Sequence, residues 1–304
     1  MMNPKKQLQN VQLYPTDTFK IAISNLARKA FEMCIDGKSE IEFELFESRT
    51  KKIKSKVRIS NLNPLKIRFG EFEWAVFDAC VSERIEGNEY TTVAIIARHL
   101  GCNNHNSDKQ SHALTQAIID SLEKLACIRI IAEPDTDIKK IYDSPLKSGS
   151  FKFRGYLLAN ESLEMSVNGQ EATIVHFPKN GVVLVTAEMK DQIISCPQEL
   201  LESPVRSTPC TIAINHFLLR RILEIKGSAE TSKSNKRVKS LRHTILLESL
   251  YNACLDENPS KLQKQHARQT SKTILDYFVE KNLINGYEFE SGKNGKVRAI
   301  NLDF

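Results

Sequence analysis

Between residues 241 and 302 the spacing of apolar residues changes from helical to alternating, and no other feature constrains the fold of this chain as closely. Leu246, Leu247 and Leu250 share one side of a helix expected over 241–254. Asn258-Pro259-Ser260 reads as the start of a short second helix ending about Gln265. Ile274, Leu275 and Phe278 mark the inner face of a third, over 268–281. Two alternating stretches, 283–289 and 297–302, flank a loop with two glycines, which is the signature of paired strands. In the third helix Gln269, Lys272, Thr273 and Asp276 follow at i, i+3, i+4 and i+7, on the side away from the core.

The charge of the chain is concentrated in the same place. Thirteen Lys and Arg stand against eight Asp and Glu between Ser232 and Phe304, a balance of +5 out of +6 for all 304 residues. A surface that neutralises a polyanion is the simplest use of that asymmetry. Three helices followed by a two-stranded basic loop are the winged-helix plan, in which the third helix enters the major groove and the loop rests on phosphates. On this plan Gln269, Lys272 and Thr273 reach base edges, while Arg268 grips phosphate at the start of the helix. Lys293, Lys296 and Arg298 serve the wing, and Lys236, Arg237 and Lys239 lie on the approach to the first helix.

The same order is expected once upstream. Phe72, Ala75, Val76, Ala79 and Cys80 mark a helix, Thr91 and Thr92 open a second through Leu100, and Leu114, Ile118, Leu122 and Leu125 stripe a third over 108–125. Strands are expected over 127–132, 153–158, 172–177 and 182–185, and a helix over 212–224. The third helix here is less basic, and its exposed residues include His112, Thr115 and Gln116, assigned to auxiliary DNA contacts. Before residue 70, a helix over 18–35 and an amphipathic hairpin, 40–46 with 54–59, are predicted. The polar, aperiodic run 226–237 reads as a linker. The expected fold is therefore α+β: two tandem winged-helix domains, 70–228 with an enlarged β-region and 229–304, behind an N-terminal helix and hairpin extension over 1–69.

Chemistry is sparse. Asp36-Gly37-Lys38-Ser39 ends like a phosphate-binding loop, but Glu32 stands where the motif requires glycine, and a helical pattern precedes it. His99, Cys102, His105 and His112 lie near one another without a second cysteine pair to close a zinc site, so no metal is expected. No histidine pair one residue apart is present, as a rolling-circle nicking enzyme would need, and neither paired carboxylates nor a nucleophile elbow stands out. The reading is of a protein that is not an enzyme and takes no cofactor. Seven scattered cysteines with no CxxC read as reduced thiols. No run of eighteen apolar residues and no signal-peptide core is found, so the expected location is the cytoplasm, away from membranes.

Several stretches are similar to proteins of plasmids and mobile elements of Gram-positive bacteria: Phe77-Asp-Ala-Cys-Val-Ser-Glu with Tyr90-Thr-Thr, the run 192–204, Phe217-Leu-Leu-Arg-Arg-Ile, and Thr273-Ile-Leu-Asp-Tyr-Phe with Ile284-Asn-Gly-Tyr. With the tandem plan, residues 70–304 resemble the replication initiators of iteron-type plasmids. The resemblance implies a first domain for dimer and backbone contacts, a second that reads double-stranded origin repeats, a monomer and homodimer equilibrium, and recruitment of host replication proteins. A transcriptional repressor of a mobile element and a winged-helix interaction adaptor stand as the alternatives.

Overall fold

The computed structural model describes residues 18–22, 40–46, 54–61, 69–102, 112–134, 153–167, 170–178, 181, 184, 187, 192–234, 242–292 and 295–304. In chain order the elements are strands β1 (Thr18–Ala22), β2 (Glu40–Phe46) and β3 (Lys54–Asn61), helix α1 (Glu71–Ile85), strand β4 (Tyr90–Thr92), and helices α2 (Val93–His99) and α3 (His112–Ala126). Strands β5 (Ile128–Pro134), β6 (Phe153–Tyr156), β7 (Glu161–Val167), β8 (Gln170–His176) and β9 (Ile193–Pro197) follow, with a single 3₁₀ turn over Gln198–Leu201. The last third holds α4 (Pro209–Ser234), β10 (Thr244–Leu246), α5 (Leu247–Cys254), α6 (Lys261–Glu280), β11 (Gly286–Ser291) and β12 (Val297–Asp303).

This mixture of helix and strand is α+β, and one plan occurs twice in it. The order α1, β4, α2, α3, β7, β8 is repeated by α4, β10, α5, α6, β11, β12. Each copy closes with a three-stranded antiparallel sheet whose last strand lies in the middle, β4-β8-β7 in the first and β10-β12-β11 in the second. The first copy carries β5 and β6 between its third helix and its sheet, and these extend the β2–β3 hairpin into a four-stranded sheet ordered β2-β3-β5-β6. The hairpin register, Glu40↔Ser60 to Phe46↔Lys54, follows the alternation of the sequence. Only tertiary structure supplies its partner β5, with Ile59 opposite Ile130.

Both copies share one core, which runs from Phe19, Trp74 and Phe77 through Leu218 and Ile222 to Ile274 and Phe278. Helix α1 is its centre and is buried on nearly all sides, including the polar Glu71, Asp78, Ser82 and Glu83. Those side chains must find partners, because an unpaired buried charge is costly. Glu71 and Asp78 hold α4: His216 Nδ1 lies 2.9 Å from Glu71 Oε1, and His216 Nε2 lies 3.0 Å from Asp78 Oδ2. Arg220 donates to Glu71 from Nε at 2.9 Å and from Nη2 at 3.0 Å, donates to Glu224 at 2.9 Å, and stacks 3.8 Å from the Trp74 ring centroid. Glu83 lies 2.6 Å from His99 on α2, whose other ring nitrogen faces Gln198 at 3.2 Å.

Outside α6, four sequence expectations are corrected. Residues 18–22 form a strand, not the start of a helix, and pair with β9 from Thr18↔Pro197 to Ala22↔Ile193. Phe19, Ile21 and Ala22 are buried there, and α1 satisfies the outward amides, Ala22 N donating to Asp78 at 3.0 Å and Lys20 N to Ser82 Oγ at 2.8 Å. The first part of the helix expected over 241–254 is strand β10, where β-branched Thr244 and Ile245 pair with β12. The helix expected over 212–224 runs on through Ser234, across most of the stretch read as a linker. Finally, Leu184 is helical and buried where a strand was expected over 182–185, as is Ala187 just beyond it. Residues 23–39, with the helix continuation and Asp36 to Ser39, lie outside the described residues, as does His105.

One glycine position carries a prediction. Gly101 ends α2 at φ +81, and a Cβ there would stand 1.9 Å from the Leu201 carbonyl oxygen. Gly101→Ala is expected to destabilise the protein by about 2 kcal/mol or more, combining left-handed strain with a backbone clash that no side-chain rotation relieves. Denaturant unfolding measures it; a change below about 0.5 kcal/mol would mean that the turn is not so tightly set against the 3₁₀ segment.

Candidate nucleic-acid interface

The sequence read as two helices, 258–265 and 268–281, is the single helix α6. Ser260 caps it reciprocally, Gln263 N donating to Ser260 Oγ at 3.2 Å and Ser260 N donating to Gln263 Oε1 at 2.7 Å. It stops at Asn282, whose left-handed φ of 56 suits asparagine, with Leu283 N donating to Phe278 O at 2.8 Å. Ala267, Ser271, Ile274, Leu275 and Phe278 are its buried residues. Every residue from Ser260 to His266 is exposed, so the first two turns project beyond the core. The apparent break in the sequence arose there, because a segment that touches no core shows no apolar period.

On α6 the structure distributes the predicted readers unevenly. Gln269, Lys272 and Thr273 are exposed and Arg268 is half-buried. Lys272 Nζ lies 3.2 Å from Asp276, whose carboxylate also accepts the Tyr287 hydroxyl at 2.5 Å from β11. The Tyr287 bond, with Lys272, holds the Asp276 carboxyl below its usual range, while burial and the Asp276 carboxylate push the Tyr287 phenol up. Both members of the Lys272–Asp276 pair are more than half exposed, so the pair contributes only about 0–1 kcal/mol and yields readily to a phosphate or base. Thr273 Oγ1 donates to the Gln269 carbonyl at 3.3 Å. The Gln265 and Gln269 side-chain amides form no hydrogen bond with any described residue.

Sequence reasoning missed Lys261, Gln265 and Lys264, all exposed in the projecting turns. The signal was present in Asn258-Pro259-Ser260 followed by Gln263, a helix start that needed no second start at Arg268. Lys261, Lys264 and Arg268 line one flank of the helix at i, i+3 and i+7. Lys264 Nζ lies 5.9 Å from the Tyr251 ring, on the preceding helix α5.

The β11–β12 turn closes through Gly292 N donating to Lys296 O at 2.8 Å and Gly295 N donating to Gly292 O at 2.9 Å, with Gly295 at φ +71. Lys296 and Arg298 are exposed beside it. Arg298 Nε donates to Glu290 at 2.9 Å across the strand pair, and with Asn301 it holds the Glu290 carboxyl below its usual range. Tyr287 thus ties β11 to α6. Lys293, Lys236, Arg237 and Lys239 lie outside the described residues.

The α3 face is different in kind. His112 and Gln116 are exposed and Thr115 is half-buried, but Gln116 Nε2 donates to Asp120 at 2.8 Å, and Lys124 is bound 2.7 Å from Glu73. At the C-terminal end of α6, Tyr277 donates to Glu199 O at 2.7 Å and Lys281, just past the helix, lies 2.6 Å from Glu199 Oε2, so this end rests on the 3₁₀ turn while the first two turns stay exposed. Among the described residues no group of three His, Cys, Asp or Glu is arranged to hold a metal ion, and no helix is long and apolar enough to cross a membrane.

No family model and no curated protein matches the chain. Solved structures similar to it in outline include two of RctB domains. Selenomethionine derivatives of domains 2 and 3 of RctB share 14% identity over 93% of this chain and 98% of that one, with a TM-score of 0.44. A second structure of RctB domains 2–3 shares 13% identity over 90% and 96%, also with a TM-score of 0.44.

Proposed function

We propose that the chain is a sequence-specific double-stranded DNA-binding protein made of two winged-helix modules, that α6 is its reading helix, and that it initiates replication by binding origin repeats. The single observation that supports this most is the projection of two full helical turns, exposed on every side and edged by Lys261, Lys264 and Arg268. A helix that projects in this way enters a major groove about 12 Å wide without disturbing the fold behind it. The wing, with Lys296 and Arg298, then meets the flanking phosphates. In this reading the first module, whose α3 face is not basic, serves self-association and auxiliary contacts through His112, Thr115 and Gln116. No reaction is catalysed; several copies on repeated sites bend the duplex by neutralising phosphates and gather host replication proteins.

Selection from a random duplex pool by the full chain tests this. Enrichment of tandem direct repeats is the expected result; a lone palindrome would replace the initiator by a repressor, and no enrichment would remove the DNA-reading role. Within an enriched site, Gln265→Ala with Gln269→Ala is expected to reduce the ratio of specific to random affinity by about 10–100-fold, since each bidentate contact is worth about 1–3 kcal/mol of discrimination. Non-specific binding at the same salt should change by less than about two-fold, because no charge is removed. An unchanged ratio would move base reading away from α6.

A further inference from the structure

Leu262 is 60% exposed in the first turn of α6, where a charged or polar side chain would cost nothing. Single exposed leucines are common on protein surfaces, so exposure alone assigns nothing. Its position does. Leu262, Gln265, Gln269 and Thr273 follow one another at intervals of three, four and four residues, which places them along one stripe on the side opposite Ala267, Ser271, Ile274 and Phe278. Of the other two large apolar residues exposed among those described, Leu163 and Leu246, neither lies on this helix.

We propose that Leu262 is a specificity-determining residue that meets the 5-methyl group of a thymine, and that the α6 stripe reads a short run of A·T pairs. This rests on α6 being the reading helix. Each base pair shows a distinct pattern in the major groove, and only thymine offers an apolar group there. The Gln265 and Gln269 amides, unbonded to any described residue, match the donor and acceptor pair of adenine. One helical turn separates them, about 6 Å, which spans about two base pairs, and Leu262 lies about one further pair along. The stripe therefore carries two adenine readers and one methyl reader, with Lys261 and Lys264 beside it for the phosphates.

The test uses duplexes enriched by the full chain, resynthesised with deoxyuridine in place of thymine one position at a time. This exchange removes the methyl group and leaves base pairing intact. One exchange is expected to weaken binding by about four-fold, the effect of exposing about one methyl group to water. Leu262→Ala should bind the thymine duplex about as weakly as the native chain binds that deoxyuridine duplex, and should be indifferent to the exchange. Leu262→Met, which keeps an apolar reach, should restore the sensitivity. The side chain is largely exposed, so both variants are expected to keep the native unfolding curve. Selective binding in which every exchange changes affinity by less than about 1.5-fold, or a loss that persists unchanged in Leu262→Ala, would overturn the Leu262 assignment while leaving α6 as the reading helix. A chain that enriches no sequence would overturn both.

Discussion

Replacing Lys261, Lys264 and Arg268 together by alanine is expected to lower the slope of log affinity for duplex DNA against log salt by about 2.7. Each phosphate contact contributes about 0.9 through counterion release. At about 0.1 M salt the affinity should fall on the order of a hundred-fold or more, for enriched and random sequences alike. These three side chains stand on the projecting half of α6, two of them exposed, and none belongs to the core. The unfolding midpoint should therefore stay close to that of the native chain, which separates loss of binding from loss of fold. A slope lowered by less than about one would mean that the flank does not face phosphate and that the β11–β12 turn carries the electrostatic contact.

The largest effect on stability is expected at Arg220. Its guanidinium is buried against Glu71, Glu224 and Trp74, and it joins α4 to α1. Arg220→Ala leaves Glu71 buried with only His216 as its cationic partner, and should cost about 3–5 kcal/mol in denaturant unfolding. Arg220→Met with Glu71→Leu should recover more than half of that loss, because neither charge then has to be desolvated. If the double replacement is no better than Arg220→Ala, packing around Trp74 and not charge pairing is what Arg220 supplies.

The same knot sets a pH dependence. Burial alone would raise the Glu71 carboxyl, but Arg220 and His216 outweigh it and hold it at about 2 against an ordinary 4.5. Its contribution is thus present above pH 4.5 and is lost as pH falls toward 2. For His216 burial opposes the charge, and the hydrogen bonds to Asp78 and Glu71 prevail, raising it above 6.5. That contribution is complete below pH 6.5 and is lost as pH rises through the folded value. Asp78 is raised by its burial, so part of the acid loss is offset where its proton is retained. Through Glu71 stability should rise as pH goes from about 2 to 4.5, through His216 it should fall above 6.5, and His216→Gln should flatten the alkaline limb.

Much of this was legible before the structure. Leu114, Ile118, Leu122 and Leu125 are buried on α3 as their spacing required, and β2, β3, β11 and β12 follow their alternation. Gln269, Lys272 and Thr273 are exposed because Ile274, Leu275 and Phe278 are drawn inward. Where the reading went astray, local pattern and tertiary partner disagreed. The 18–22 segment fits a helical stripe as well as a strand, and it became a strand because β9 offers an edge and α1 offers Asp78 and Ser82 to its amides. Helix α6 was divided because its projecting turns carry no apolar period, Leu262 being their one large apolar residue.

By itself the sequence determined the periodic elements, the basic C-terminal balance and the polar face of the last long helix, since each depends on residues near one another in the chain. Only the tertiary structure decided that β3 pairs with β5, that α4 serves both copies of the plan, and that Glu71, Asp78, His216 and Arg220 form one buried knot. Those contacts join residues more than sixty apart, and a carboxylate in a helix looks the same in sequence whether water or an arginine will meet it. The freedom of the first two turns of α6 was decided in the same way, by how far the core extends beneath the helix.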